Sequence, residues 1–274
     1  MQSGTLCRRT HLMAVIMLVM AAPTLKAADN PNLSKDEIKQ FLRTAKIVGA
    51  KESSKGITRP TRLTLSDGKI THDASYQGID EHKSTLQLAS GRVEMNFVDS
   101  YKYNIAAYAL AEMLGIDDML PVYVERSYKG TSGSVSWWLP VKMDEEERKK
   151  KGLTAPDTDA WNNQMYRVRV FDELIYDTDA NLTNVLIDEN WKIYRVDFTR
   201  AFRLSKDLRR ANDLVRCDRQ LLEKLKALDG NELAARTKHY LTKDEIKALM
   251  ARRDKIVARF QQLISQQGEG TVLY

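Results

Sequence analysis

Helical periodicity begins behind Ser34-Lys35-Asp36-Glu37, where a capping serine and an acidic first turn precede Ile38, Phe41 and Leu42, the inner face of a short helix. The period then drops to two. Thr61 to Leu65 and Ile70 to Tyr76 alternate β-formers on either side of Ser66-Asp67-Gly68-Lys69, and the Asp-Gly pair predicts a hairpin. Asp99 to Leu114 returns to helical spacing, with Ile105, Ala106, Leu110 and Leu114 inward and Gly115 as its stop. Leu120 to Arg126 and Ser134 to Val141 read as paired strands around a loop, Lys129 to Gly133, that lacks the spacing and helix opening of a phosphate cradle. Asp144 to Glu147 precede Arg148 to Lys151, acids before bases, the order a short solvated helix favours. Trp161 to Ile175 is a second strong helix, built on Trp161, Met165, Val168, Phe171 and Leu174. Asp207 to Leu228 reads as largely helical, and Thr242-Lys243-Asp244-Glu245 caps a last helix to about Gln266. Strands before residue 142 and long helices after it predict an α+β protein of two lobes, a β-rich one at 45–142 and a helical one at 143–274.

Charge narrows the partners. The chain of 274 residues has 43 Lys and Arg against 37 Asp and Glu, but three of those cations sit in the first 27 residues, which hold no acid. The remainder is close to neutral and offers no electrostatic reason to expect nucleic acid as a partner. Those first residues read as an address. Arg8 and Arg9 precede Leu12 to Ala22, an apolar run far short of the roughly 20 residues a membrane span requires, and Ala27-Ala28 supplies small residues for a peptidase. Residues 1–27 are therefore expected to be a signal peptide, 28–44 a linker and short helix, and the protein exported. The arginine pair also raises a twin-arginine signal, which its neighbours fit poorly. With the leader removed only Cys217 remains, so no disulfide within the chain is available, and the thiol reads as a buried bystander.

The chemistry concentrates at Asp177-Thr178-Asp179-Ala180-Asn181-Leu182-Thr183-Asn184, followed by a hairpin that ends in Val196-Asp197-Phe198. Phosphoryl transfer needs an acceptor for the attacking hydroxyl's proton and hard oxygen ligands that hold Mg²⁺ against nucleotide phosphates. Asp179 suits the first role, Asn184 and Asp197 the second, and Asp-x4-Asn is the spacing of a kinase catalytic loop. Taken singly, each residue also suits a cap or a turn. Two acids and an amide within one helix-loop-hairpin frame have little structural reason to combine. His72, His82 and His239 are scattered, and no Cys-x-x-Cys, His-Glu-x-x-His or Gly-x-Ser-x-Gly occurs to start a zinc or serine hydrolase.

The stretch from Leu174 through Asp179 to Asn184-Val185-Leu186-Ile187-Asp188, with Asp197-Phe198-Thr199-Arg200-Ala201-Phe202, resembles the atypical branch of the protein-kinase-like superfamily: the phosphatidylinositol-kinase-like, HipA-like and secretory-pathway kinases. The resemblance spans about residues 45–260, its specific motifs only 174–202. It implies a two-lobed kinase-like fold, with ATP and Mg between the lobes and transfer to a hydroxyl of an unidentified protein, lipid or small molecule. Two departures stand out. The strand Lys that contacts the phosphates and its helix Glu correspond here to Gln77 and Asn104, and Ala180 stands in the place of a loop Arg. A neutral amide pair keeps hydrogen bonding but brings no positive charge to the phosphates. Arg62 and Lys69 on the neighbouring hairpin, and Arg59 and Lys55 near Gly56, are the cations open for that role, with Arg62 carried as a nucleotide-binding candidate beside Gln77 and Asn104. Neither an Ala-Pro-Glu segment nor a long activation loop follows Phe202. Two other functions fit the same frame: a pseudokinase that binds a ligand or partner without turnover, favoured by the amide pair and by the scarcity of ATP outside cells, and an AMP transferase.

Overall fold

A computed structural model describes residues 33–52, 60–87, 91 and 93–274; the expected leader at 1–27, residues 28–32, Lys55, Gly56 and Arg59 lie outside them. Helix α1 (Lys35–Thr44) opens with a capping box, in which the Ser34 hydroxyl accepts from the Glu37 amide and the Glu37 carboxylate takes the Ser34 N–H at 2.8 Å. Strands β1 (Lys46–Glu52), β2 (Thr61–Ser66) and β3 (Thr71–Gln77) follow, then a separate hairpin of β4 (Asp80–Gln87) and β5 (Val93–Ser100), helix α2 (Lys102–Leu114), and strands β6 (Tyr123–Tyr128) and β7 (Thr131–Trp137). All pairings are antiparallel, and the main sheet runs β1-β2-β3-β7-β6.

The two faces of that sheet differ in chemistry. Cross-strand register puts Leu63, Leu65, Ala74, Tyr76, Val135 and Trp137 on one face, all buried, and Arg62, Ser75, Gln77, Ser134, Ser136 and Tyr123 on the other. Phe41 of α1 meets Trp137 edge-on at 5.8 Å, whereas Tyr108 of α2 meets Tyr123 at 6.5 Å, so the two helices cover opposite faces. The polar face is thereby turned toward α2 and the second half of the chain.

Residues 138–142 cross to β8 (Met143–Asp144), α3 (Glu145–Lys150) and α4 (Thr158–Ile175), after which β9 (Val185–Ile187) and β10 (Ile193–Arg195) complete a small sheet ordered β10-β9-β8. Helices α5 (Arg219–Ala227), α6 (Gly230–Arg236), α7 (Lys243–Gln267) and α8 (Glu269–Val272) finish the chain. Helix α7 is the axis of this half; its Leu249, Ile256 and Phe260 are fully buried, and it packs on α4, α5, α6 and α8. The architecture is α+β, rich in strands first and in helices afterwards, as the periodicity predicts.

Several boundaries differ from expectation. The helix expected from Asp99 starts at Lys102, because Asp99 and Ser100 pair with Glu81 and Asp80 as the end of β5 and the Ser100 hydroxyl accepts the Lys102 N–H. The loop expected at 129–133 is a tight turn at Lys129-Gly130, with Thr131 already paired to Tyr128. The acid-base helix α3 is not wholly solvated: Glu145 is buried and receives Arg148 Nε at 2.5 Å and Nη2 at 2.9 Å. Between 207 and 218 only a short turn at Ala211–Asp213 is helical. Side chains hold the rest: Glu173 of α4 accepts the amides of Arg209 and Arg210 at 2.8 and 3.0 Å. The end of the chain docks, as Val272 to Tyr274 exchange backbone bonds with Cys217 and Arg219.

Candidate active site

Helix α4 ends on Tyr176, whose left-handed backbone (φ 50°) turns the chain out of the helix and into the loop at 177–184. Asp177 is buried and paired with the equally buried Arg195 of β10, which also donates Nε to Asp172 at 3.0 Å. Burial pushes the Asp177 carboxyl up, and Asp172 is raised to about 6, again by burial, while the guanidinium opposes both shifts. Asp177 also organises the loop, since its Oδ1 accepts the Asp179 amide at 2.9 Å. Asn184 Nδ2 donates to the Asp179 carbonyl at 3.2 Å and the Asn184 carbonyl accepts Val196 N–H at 3.0 Å. The loop carrying Asp179 is thus tied through Asn184 to the strand that leads into Asp197.

Asp197 has a left-handed backbone (φ 61°), a conformation uncommon outside glycine that Asp and Asn tolerate best. Gln77 Nε2 from β3 donates to its Oδ1 at 3.3 Å and the Thr199 hydroxyl to the same oxygen at 3.2 Å. Among the described residues no cation forms an ion pair with it. Burial raises its proton affinity, and only neutral donors stand against that rise in direct contact.

Asn104 joins the two halves. Fully buried on α2, it donates Nδ2 to Gln77 Oε1 at 2.7 Å and to Ser134 Oγ at 3.0 Å, and its Oδ1 accepts the Phe198 amide at 2.7 Å. The donor direction runs Asn104 to Gln77 to Asp197, so one amide orients the next. Gly133 permits the close approach of β7 to the end of β3 that this needs, because a Cβ there would stand 2.5 Å from both the Gln77 carbonyl and the Tyr76 ring.

Of the residues singled out by sequence, the structure brings Gln77, Asn104 and Asp197 into one hydrogen-bonded chain and links Asp179 to Asn184. Arg62 is not drawn in; it shares the sheet face of Gln77 but donates Nε to Asp73 at 2.8 Å and lies over the Trp138 ring at 4.3 Å. Sequence reasoning did not single out Asp99, Thr199 or Arg195 as part of the site. Arg195 had a signal in hindsight, a lone cation within the apolar strand Ile193 to Val196.

No family model matches the sequence, and no curated protein does either. Solved structures give a different answer. The structure of hydra Fam20 with sugar is similar with a TM-score of 0.64 at 15% identity, covering 87% of this chain and 91% of that one. The Golgi casein kinase aligns at 0.61 and 14% identity, over 87% of this chain and 77% of that one, and it has been solved with Mn and ADP bound. The Helicobacter pylori proinflammatory kinase CtkA aligns at 0.54 and 9% identity, over 83% of this chain and 97% of that one. The chain shares the kinase-like fold of these structures. At identities this low the likeness speaks for the fold, and this kinase-like chain's own side chains must argue the chemistry.

Proposed function

We propose that this is an exported, kinase-like phosphotransferase that binds ATP with a divalent cation, Mg in the first instance, and transfers the γ-phosphoryl group to a hydroxyl. The observation that carries the reading is the Asp197 carboxylate, half-buried, contacted only by neutral donors and without an ion pair among the described residues. An anion so largely withdrawn from water is costly unless a cation joins it. The donor set fits a hard divalent ion: carboxylate oxygen from Asp197 and amide oxygen from Asn184. Such an ion, when bound, would neutralise charge on the β- and γ-phosphate oxygens. Asp179 accepts the proton of the attacking hydroxyl as the new O–P bond forms and ADP leaves with the electrons of the broken bond. Asn104 and Gln77 keep Asp197 in place. Export is supported by the arginine pair and apolar run ahead of residue 27.

A second reading, ligand or partner binding without turnover, is favoured by the uncharged Gln77–Asn104 pair, which gives no cation to the phosphates. Purified protein incubated with ATP labelled at the α or the γ phosphate separates the possibilities. Label transferred from γ supports the kinase, label from α an AMP transferase, and label from neither the binding module. Asp179→Ala should cost about 10² to 10⁴ in rate while leaving nucleotide binding intact. Asp197→Ala should abolish metal-dependent nucleotide binding. Undiminished turnover in both variants refutes the assignment.

A further inference from the structure

The hairpin β4–β5 is inserted between β3 and α2 and is exposed along most of its length, yet its last residues enter the site. Ser100 N–H donates to the Thr199 carbonyl at 2.9 Å, and Asp99 beside it is buried, with 8% of its surface exposed. Asp99 Oδ1 is buried with no hydrogen-bond partner. The Thr199 hydroxyl lies within hydrogen-bonding reach of the Asp99 carboxylate and also donates to Asp197. A threonine hydroxyl has one proton, so it satisfies one of the two carboxylates and turns a lone pair to the other.

The charges around Asp99 do not repair this. Asp179, Asp197 and Glu81 all repel it, and burial adds to the cost of its charge. The cation that acts favourably on it is Arg200, whose Nη2 is engaged by Glu94 at 2.8 Å; Arg203 is held by the same Glu94 at 2.7 Å. Lys102, close in sequence, is committed to Asp80 at 2.8 Å.

The geometry points to Asp99 as a protein ligand of the divalent cation, sharing it with Asp197 across the Thr199 hydroxyl. The inference rests on the metal site proposed above and adds to it an acid delivered by the hairpin, where α2 presents the neutral Asn104. Among the described residues no three Asp, Glu, His or Cys side chains gather around one point. The protein thus supplies two carboxylates, and the remaining positions belong to Asn184, water and phosphate, in keeping with small divalent ions that retain several waters. A simple alternative is that Asp99 carries a proton and takes no part in binding.

The isosteric Asp99→Asn separates these. Mn²⁺ is titrated into the full chain with and without ADP, and free ion is read by electron paramagnetic resonance. As a ligand, Asp99 gives a Mn²⁺ dissociation constant raised about 10-fold to 100-fold or more in the variant, the range seen even for outer-shell losses. The metal-free variant should melt at or above the wild-type temperature, since a buried charge has gone, while losing most of the stabilisation Mn²⁺ confers on wild type. A dissociation constant within twofold of wild type overturns the role of Asp99 and leaves the Asp197 site standing. Failure of wild type to bind Mn²⁺ with or without ADP overturns both.

Discussion

Replacing Asn104 by Leu tests whether the two halves of the site are held by a directional chain of hydrogen bonds. The side chains are nearly isosteric, so little cavity forms, and the change isolates polarity. The buried Phe198 amide loses its acceptor at 2.7 Å, the Ser134 hydroxyl and Gln77 Oε1 each lose a donor, and Asn104 itself is fully buried. Each buried group left short costs about 1–3 kcal/mol, and because the three share one neighbourhood they will not add fully; a loss of about 3 kcal/mol is expected. For a chain of this size that is on the order of 10 °C in melting temperature. Urea unfolding should show the midpoint falling at an unchanged slope, since the surface exposed on unfolding is the same. Asn104→Asp supplies the contrast. It keeps the acceptor for Phe198 but withdraws both donors, so Gln77 must turn its amide nitrogen toward the new carboxylate and its carbonyl toward Asp197. That variant should bind Mn²⁺ and ADP more weakly than its stability loss explains. A Leu variant within 1 kcal/mol of wild type, at equal slope, would refute the idea that this amide is the tie.

Arg195→Met leaves the buried Asp177 and the half-buried Asp172 without their cation, and should cost about 3–5 kcal/mol at pH 8 by thermal or urea unfolding. Because burial already raises both acids, Asp172 to about 6, they protonate readily once the guanidinium is gone, so the loss should shrink near pH 5; a pH-independent loss would contradict this. Burial pushes the Cys217 thiol up to about 12, so at pH 8 an alkylating reagent should modify it only after unfolding; rapid native-state labelling would show the site to be open. His72 is stacked on Trp137 at 3.5 Å, and burial lowers its pKa below the usual value near 6.5. Its contribution is therefore complete above pH 6.5 and lost as pH falls through the folded value, so wild type should lose ground to His72→Phe between pH 7 and 5. Parallel stability curves for the two proteins would sink that reading.

What sequence could reveal followed from local period and spacing. The capping box at Ser34, the Asp-Gly hairpin and the apolar stripe of α4 are written in neighbours of one another, and so is the frame that carries Asp179, Asn184 and Asp197. Gln77 and Asn104 were reachable through resemblance alone, as neither has a local signal. No local signal marks the hairpin β4–β5, because β4 is polar and exposed at nearly every position and lacks the alternation of a half-buried strand. The segment at 207–218 looked helical from its leucines, but Glu173 from α4 takes the amides that a helix would have kept. Asp99 reads locally as a helix start, and only the pairing of β5 with β4 places it at a strand end with one oxygen left without a partner.

Glu94 grips Arg200 and Arg203 together, the Phe97 ring lies beneath both guanidinium groups, and Thr178 fixes the Arg200 carbonyl from the other side. Residues 200–203 are anchored by the chain itself, with a shared carboxylate on one side and a threonine hydroxyl on the other, so the hairpin and the loop behind Asp197 must shift as one piece.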